Sequence, residues 1–426
     1  MKRDDTLYQQ YLNILAEELQ PAMGCTEPIA LAYAGAKARQ NLGALPDRVE
    51  IHVSGNIIKN VKSVIVPNTG GLHGISTAVC AGIVAGNADK VLEVISCVTE
   101  EQKKQLKEYM DTTPVEIKPA SSCLVFDIDL TLHCGEDKVR LRIINHHTNI
   151  AYIEKNGQVL QSQPIEESSE DHLTDKSCLS IEKIVEFADC VALEDIRELV
   201  GRQVKCNMAI AKEGIANRWG ANIGSVLLQR QGELLSKRAA AYAAAGSDAR
   251  MSGCEMPVII LSGSGNQGIT ASVPVAVYAE ALGKTEEEML RAVTLSDLVT
   301  IHQKTGIGRL SAYCGAISAG CGAGAGIAYL NGGGFHAVAH TVVNAIAILS
   351  GTICDGAKPS CAAKIAAAVD AGILGWDMYQ ENQQFYGGDG IVTKGVDKTV
   401  NNVGRLAREG MRQTDQTILQ IMLDES

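Results

Sequence analysis

The chain has 426 residues, 46% hydrophobic but only 4% aromatic, so its core must be built from aliphatic side chains, Ala and the 42 glycines. That length allows two or three domains. The formal net charge is −11 and no run of Lys or Arg occurs, which excludes the basic footprint of a nucleic-acid binder but leaves room for one locally positive pocket.

The opening MKRDDTLYQQYLNILAEELQ is polar and amphipathic and lacks the apolar run of a signal peptide. The reading that follows is a cytoplasmic protein. In that reducing compartment the 13 cysteines are core residues, metal ligands or reactive thiols rather than disulfides. Leu7, Leu12, Leu15 and Leu19 share a face and predict a first helix over 5–20. PAMGCTEP (21–28) breaks it. A second helix over about 27–41 follows, with Thr26 as its N-cap and Pro28 in its first turn.

From Arg48 the period becomes two: Val49, Ile51 and Val53 alternate with polar residues as in a strand. Residues 115–118, 123–130 and 138–145 continue the β signal, with helical patterning at 79–97 and 100–109. The expected fold class is α+β: a mainly helical catalytic domain with a smaller α/β-sandwich-like domain. The expected domains are 1–47, helices packing with the catalytic domain; 48–160, the α+β unit; 161–176 (QSQPIEESSEDHLTDK), an exposed linker; and 177–426, the helical domain. Within the last, 310–354 carries no Asp, Glu, Lys or Arg. A membrane span needs about 20 apolar residues. This run is mostly Gly and Ala and holds Asn331, His336, His340 and Asn344, so closely packed buried helices are the better reading. A membrane or binding protein, with this run as its working part, is the alternative.

Cys314 lies in SAYCGAISAGCGAG, and Cys354 and Cys361 lie in GTICDGAKPSCAAKI. Gly356 and Pro359 predict a loop, after which Ser360 caps a helix running from Cys361 through Ala371 to a stop at Gly372. A thiolate at a helix start faces unpaired N–H groups and the positive end of the dipole. Two readings stay open. Free cysteine packs as a small hydrophobe, so these can be structural. Alternatively, three thiolates on a four-iron cluster leave one iron open as a Lewis acid. Cys321, in a Gly/Ala run, reads as packing. Cys25 precedes a predicted helix start, a position that lowers a thiol pKa; its plain reading is a buried loop cysteine. Thr26 and Glu27 read plainly as a cap and a first-turn acid. SGSGNQG (262–268) is a Gly-rich turn whose N–H groups, with Ser262, Ser264, Asn266 and Gln267, suit a carboxylate. No GK[ST] follows, so it is not a phosphate loop. His73 in GGLHGI can orient a substrate or relay a proton, and Lys304 in IHQKTG can pair with a carboxylate.

Taken together, PAMGCTEPIALAYA (21–34), NTGGLHGI (68–75), LSGSGNQGI (261–269) and the Cys314/Cys354/Cys361 set resemble the L-cysteine desulfidase family, which is related to the iron–sulfur L-serine dehydratase alpha chain. The resemblance runs over essentially the whole chain. It implies a [4Fe–4S] cluster on Cys314, Cys354 and Cys361, with Cys25 as the base for the substrate Cα proton or as a cover for the open iron at rest. It also implies Thr26, Glu27, His73, Ser262, Ser264, Asn266 and Gln267 as substrate-binding candidates, Glu27 toward the ammonium. The implied reaction is α,β-elimination of L-cysteine to pyruvate, ammonia and hydrogen sulfide. Some iron–sulfur serine dehydratases place a C-terminal cysteine on the fourth iron. This chain ends QIMLDES with no cysteine after Cys361, which favours the desulfidase branch over L-serine dehydratase. The expected partner is a small amino acid, with no nucleic acid and no membrane; a homodimer is the oligomer considered.

Overall fold

The computed structural model describes residues 1–122, 124–164, 173–308 and 311–424. The first part of the chain runs α1 (Thr6–Glu18), β1 (Pro21–Met23), α2 (Thr26–Leu42), β2 (Arg48–Val53), α3 (Gly55–Val61), α4 (Ile75–Ala85) and α5 (Glu100–Thr112). Five strands follow: β3 (Val115–Pro119), β4 (Asp127–Cys134), β5 (Asp137–Ile144), β6 (Ile150–Lys155) and β7 (Gln158–Ser162). Then come α6 (Ile181–Cys190), α7 (Leu193–Ala216), α8 (Ile223–Gln231), α9 (Leu235–Met251) and β8 (Pro257–Ile259). The last helices are α10 (Gly265–Ala281), α11 (Glu286–Ile307), α12 (Gly315–Leu330), α13 (Phe335–Leu349), α14 (Ser360–Gln380), α15 (Val396–Arg405) and α16 (Arg412–Asp424).

The fold is α+β and mainly helical. One sheet has the order β3–β2–β4–β5–β6–β7, parallel only between β2 and β3. Alternation places Val49, Ile51 and Val53 of β2 on the same buried face as Ile128, Leu130 and Leu132 of β4 and Val139, Leu141 and Ile143 of β5. Helices α2 and α4 share that core. They touch closely: a Cβ on Gly82 would lie 1.9 Å from the Ala32 carbonyl oxygen. The helix expected over 79–97 ends at Ala85 instead, because Gly86 and Asn87 turn extended before a short 3-10 turn, Ala88–Glu93.

Residues 1–47 divide between two cores. Helix α1 buries Tyr8, Tyr11, Ile14 and Leu15 in the helical core. Helix α2, expected there too, buries Ile29, Leu31 and Tyr33 against the sheet. The switch happens at one point. Strand β1 is held by antiparallel pairing with β8, and the chain then turns at Gly24, whose φ is +58 and where a Cβ would strike Pro67. Most of the expected linker, 165–172, lies outside the described residues. Its far end is docked: Thr174 N–H donates to Glu17, and Lys176 pairs with Glu18 at 3.0 Å.

The uncharged run forms α12 and α13, buried in the helical core with α10, α11 and α14. Glycine makes this possible. Cβ atoms on Gly320 and Gly324 would strike Ala368 and Gly372 of α14, and one on Gly322 would strike Ser296 and Thr300 of α11. Gly372 is therefore not a stop. Helix α14 continues to Gln380, and the missing side chain lets its backbone lie against α12. Among the described residues, no helix is long and apolar enough to cross a membrane.

Candidate active site

Four helix starts converge on one cavity with about 790 Å³ of empty space, part of it continuous with solvent. Cys25 stands just before α2, Ser264 just before α10, Cys314 just before α12, and Cys361 is in the first turn of α14; all four line the cavity. The N-cap of α2 is Cys25, not Thr26, and that of α14 is Pro359, not Ser360. Each start brings the positive end of a helix dipole to the cavity. Arg250, Lys59 and Lys304 also line the cavity, with the Glu27 carboxylate against them, so cations outnumber acids in this lining within a protein of net charge −11.

Backbone pairing brings the distant segments together. β1 and β8 place Met23 opposite Pro257, and Ile260 N–H donates to Gln20 O at 2.8 Å. The turn after β8 closes by mutual Leu261 and Ser264 N–H···O bonds of 3.1 Å. Thr26 Oγ1 lies 3.0 Å from Gly263 O, tying the start of α2 to that turn. A second bridge, Tyr313 opposite Ile353, joins the other two segments. Across it Cys314 N–H donates to Thr352 O at 3.1 Å and Cys354 N–H donates to Ala312 O at 2.6 Å. The loop from Cys354 to Cys361 then rests on α3 through Gly356, φ +95, where a Cβ would meet Lys59 O at 2.2 Å.

Cys314, Cys354 and Cys361 thus face one cavity. Burial, with the neighbouring Cys354, pushes the Cys314 thiol up to about 12, and burial pushes Cys361 up as well. The Cys361 thiol also donates to Gly356 O, at 3.6 Å. A metal centre takes thiols as thiolates and so cancels the cost that holds them protonated. Among the described residues no three His, Cys, Asp or Glu side chains close around a single ion. A four-iron cube asks for something different: each thiolate takes its own iron, so the sulfurs stand apart around a volume rather than a point. Three thiols lining one pocket, Cys314 and Cys361 at helix starts and Cys354 in the loop between them, fit that demand. Beside them Lys364 donates to Ile353 O at 2.9 Å. Although burial opposes it, Lys358 and Lys364 hold the Asp355 carboxyl down at about 2.

Cys25 packs with Val64 and Met251, and Cys361 lies against that group. Its environment is opposite to the one expected from a helix start. Burial and the Glu27 carboxylate push its thiol well above the usual range, and Arg250 opposes them. The thiol donates to Glu27 Oε2 at 3.1 Å, and Asn60 donates to Glu27 Oε1 at 2.9 Å.

Of the other expected residues, Glu27, Ser264, Asn266 and Gln267 line the cavity. Thr26 does not; it holds the turn. Ser262, at φ +48, faces a neighbouring cavity with Lys304 and Lys176. His73 is exposed and lines neither cavity; its segment pairs with Ile65, and the adjoining Pro67 props Gly24. Sequence reasoning passed over Arg250, Lys59, Asn56 and Asn60. Lys59 is 2% exposed and ion-paired with Asp415 of α16. The one available signal was the polar pair Lys59–Asn60 inside the apolar GNIIKNV, since polar residues in such runs are buried for a reason.

Residues 89–420 match the family described as serine dehydratase alpha chain, a span that includes the three thiols and the 262–268 turn. The chain is 58% identical to a UPF0597 protein of Desulfitobacterium hafniense, across 100% of this chain and 99% of the relative. It is 47% identical to a UPF0597 protein of Lachnoclostridium phytofermentans, across 98% and 100%. It is 44% identical to a UPF0597 protein of Treponema denticola, across 100% of both.

Proposed function

This chain belongs to the serine dehydratase alpha chain family, and from that premise we propose that it is a lyase eliminating the β-substituent of a small amino acid, with L-cysteine as substrate and a [4Fe–4S] cluster on Cys314, Cys354 and Cys361. The observation that carries the reading is the meeting of those three thiols with Cys25 in one pocket at four helix starts. Held by three thiolates, such a cluster supplies a Lewis-acidic iron without a protein ligand, suited to a leaving thiol or hydroxyl.

The chain's own groups have distinct tasks. The start of α10, with Ser264 and Asn266, holds the substrate carboxylate against unpaired N–H groups. Cys25 receives the Cα proton as its own proton passes to Glu27, along the hydrogen bond already present between them. Asn60 steadies Glu27 for that exchange. The released aminoacrylate tautomerises and hydrolyses to pyruvate and ammonia.

L-Serine through the same groups is the second reading, favoured by the family's description. The test is anaerobic purification with iron and sulfide counts, followed by pyruvate yields from L-cysteine and L-serine. About four irons per chain and faster pyruvate release from L-cysteine support the reading. Faster release from L-serine selects the second reading, and an active enzyme without iron ends both.

A further inference from the structure

Arg250 is a buried cation that no neighbouring carboxylate offsets among the described residues. It sits in the last turn of α9 and is 2% exposed. A guanidinium keeps its charge in proteins, so burial cannot be relieved by losing a proton. Among the described residues, no carboxylate lies within ion-pair distance of it; its side chain makes one hydrogen bond, from Nη1 to Asn266 Oδ1 at 3.1 Å. Its Nε is buried with no hydrogen-bond partner among the described residues. A charge in that state is costly unless something completes it.

Its seat is equally specific. A Cβ on Gly265, the first residue of α10, would lie 2.3 Å from Arg250 Nε and 2.8 Å from its Cζ. The guanidinium therefore lies over a residue that only glycine leaves open. The same device recurs one helix away. A Cβ on Gly315, the first residue of α12, would lie 2.8 Å from the Gln267 amide. Gln267 is 4% exposed, and its Oε1 is buried without a hydrogen-bond partner among the described residues. Two planar polar groups, each laid over a glycine at a helix start, face one cavity with hydrogen-bonding capacity unused.

We propose that Arg250 is the anchor for the substrate α-carboxylate, so that the site selects free α-amino acids over their amides and esters. This rests on the amino-acid lyase reading and deepens it. Arg250 supplies what the α10 start alone lacks: a full charge and a planar fork that matches a carboxylate in two hydrogen bonds. An amide or ester offers neither the charge nor the second acceptor, and it leaves the buried guanidinium unpaired.

The test uses binding as well as turnover. L-Alanine, which has no leaving group, and L-alaninamide are titrated calorimetrically into the protein. Anaerobically prepared enzyme is then assayed with L-cysteine and L-cysteine methyl ester. Wild-type protein binds L-alanine and not the amide. Arg250→Gln weakens L-alanine roughly 10- to 100-fold and lowers kcat/KM for L-cysteine by a similar factor, mostly through KM, without change for the ester. Arg250→Lys, which keeps the charge but not the fork, falls between. Gly265→Ala displaces the guanidinium and mimics Arg250→Gln. Iron content stays at the wild-type level in all three. L-Alanine binding that depends on Arg250 in a protein without elimination activity upholds the carboxylate anchor while the lyase reading fails. Unchanged L-alanine binding in Arg250→Gln overturns the anchor, even if elimination is found. Failure of both Arg250 variants to fold also overturns it, by making Arg250 a structural charge.

Discussion

Gly372→Ala adds one methyl group at the place where two backbones touch. Its Cβ would lie 2.1 Å from Gly320 O, whereas ordinary Cβ contacts begin near 3.4 Å and essentially none fall under 3.0 Å, so α12 and α14 must part by about 1 Å. The obstacle is a carbonyl, which has no rotamer to yield. Overpacking of this kind costs about 1–3 kcal/mol, and a gap of 0.5–1 Å forfeits roughly a quarter to a half of each contact along the seam. The expected loss is therefore near the upper end, about 3 kcal/mol, or roughly 6–12 °C in Tm for a domain of 150–250 residues. The damage reaches the site, because Cys314 stands only six residues, about 9 Å of helix, before Gly320. Scanning calorimetry at a fixed rate, paired with iron counts after anaerobic preparation, reads both effects. Gly201→Ala in α7 is the control: nothing lies within 4 Å of its added Cβ, and the same chemical change there is expected to stabilise by up to about 1 kcal/mol. If Gly372→Ala melts within about 1 °C of wild type and carries full iron, the glycine seam does not set the spacing of the thiols.

Cys314→Ser, Cys354→Ser and Cys361→Ser are each expected to lose most bound iron on anaerobic purification. Cys321→Ser, buried in the core with its thiol on Val342 O at 3.5 Å, keeps it. Asp297, fully enclosed and bonded to Gln203 at 2.9 Å, has its carboxyl pushed by burial up to about 8. It stays protonated in the fold while the unfolded chain ionises it above about pH 4, so its contribution is complete in acid and is lost as pH rises through about 8. Denaturant midpoints should fall between pH 5 and 8, by up to about 1.4 kcal/mol per unit from this group; Asp297→Asn should flatten that slope, and equal slopes in both proteins would contradict the assignment. Asp415→Asn leaves Lys59 charged and enclosed, at a cost of about 2 kcal/mol after allowing for the partial exposure of Asp415. A Lys59→Met, Asp415→Leu double variant should recover most of it in urea titrations.

Periodicity carried the helices and the central strands into the sequence reading because burial on one face repeats at 3.6 or 2 residues. It could not place α2. That helix is buried almost all round, and the turn at Gly24, after β1 pairs with β8, directs it toward the sheet. Gly372 was misread for a related reason: a glycine that ends a helix and one that admits a neighbouring backbone look alike in one dimension. The three thiols were legible only through the combined motifs. Their meeting depends on a single bridge between Tyr313 and Ile353, too short to leave an alternating pattern. For Cys25 the helix start was visible but the enclosure was not, and enclosure with Glu27 reverses the direction of its pKa. Arg250 was hidden in plain view, because a basic residue in a last helical turn normally complements the dipole. Nothing in its neighbours shows that it turns inward.

A net charge of −11 argues against an anionic centre only if charge acts as an average. Fields act locally, and screening removes distant surface charges beyond about 8–10 Å at moderate salt. Inside the cavity the nearest fixed charges are four helix starts, each equivalent to about half an elementary charge, and the side chains of Arg250, Lys59 and Lys304. Glu27 and Asp415 oppose them. The backbone contribution has a property that side chains lack. It cannot rotate away, titrate or be lost through one substitution, because each start is fixed by the packing of a whole helix. Aromatic side chains would hold α12 too far from its neighbours for those starts to meet. The Gly and Ala that fill this core therefore do more than pack it: they set how closely the helix axes approach, and with that the field and the distances available to three sulfurs and a substrate carboxylate.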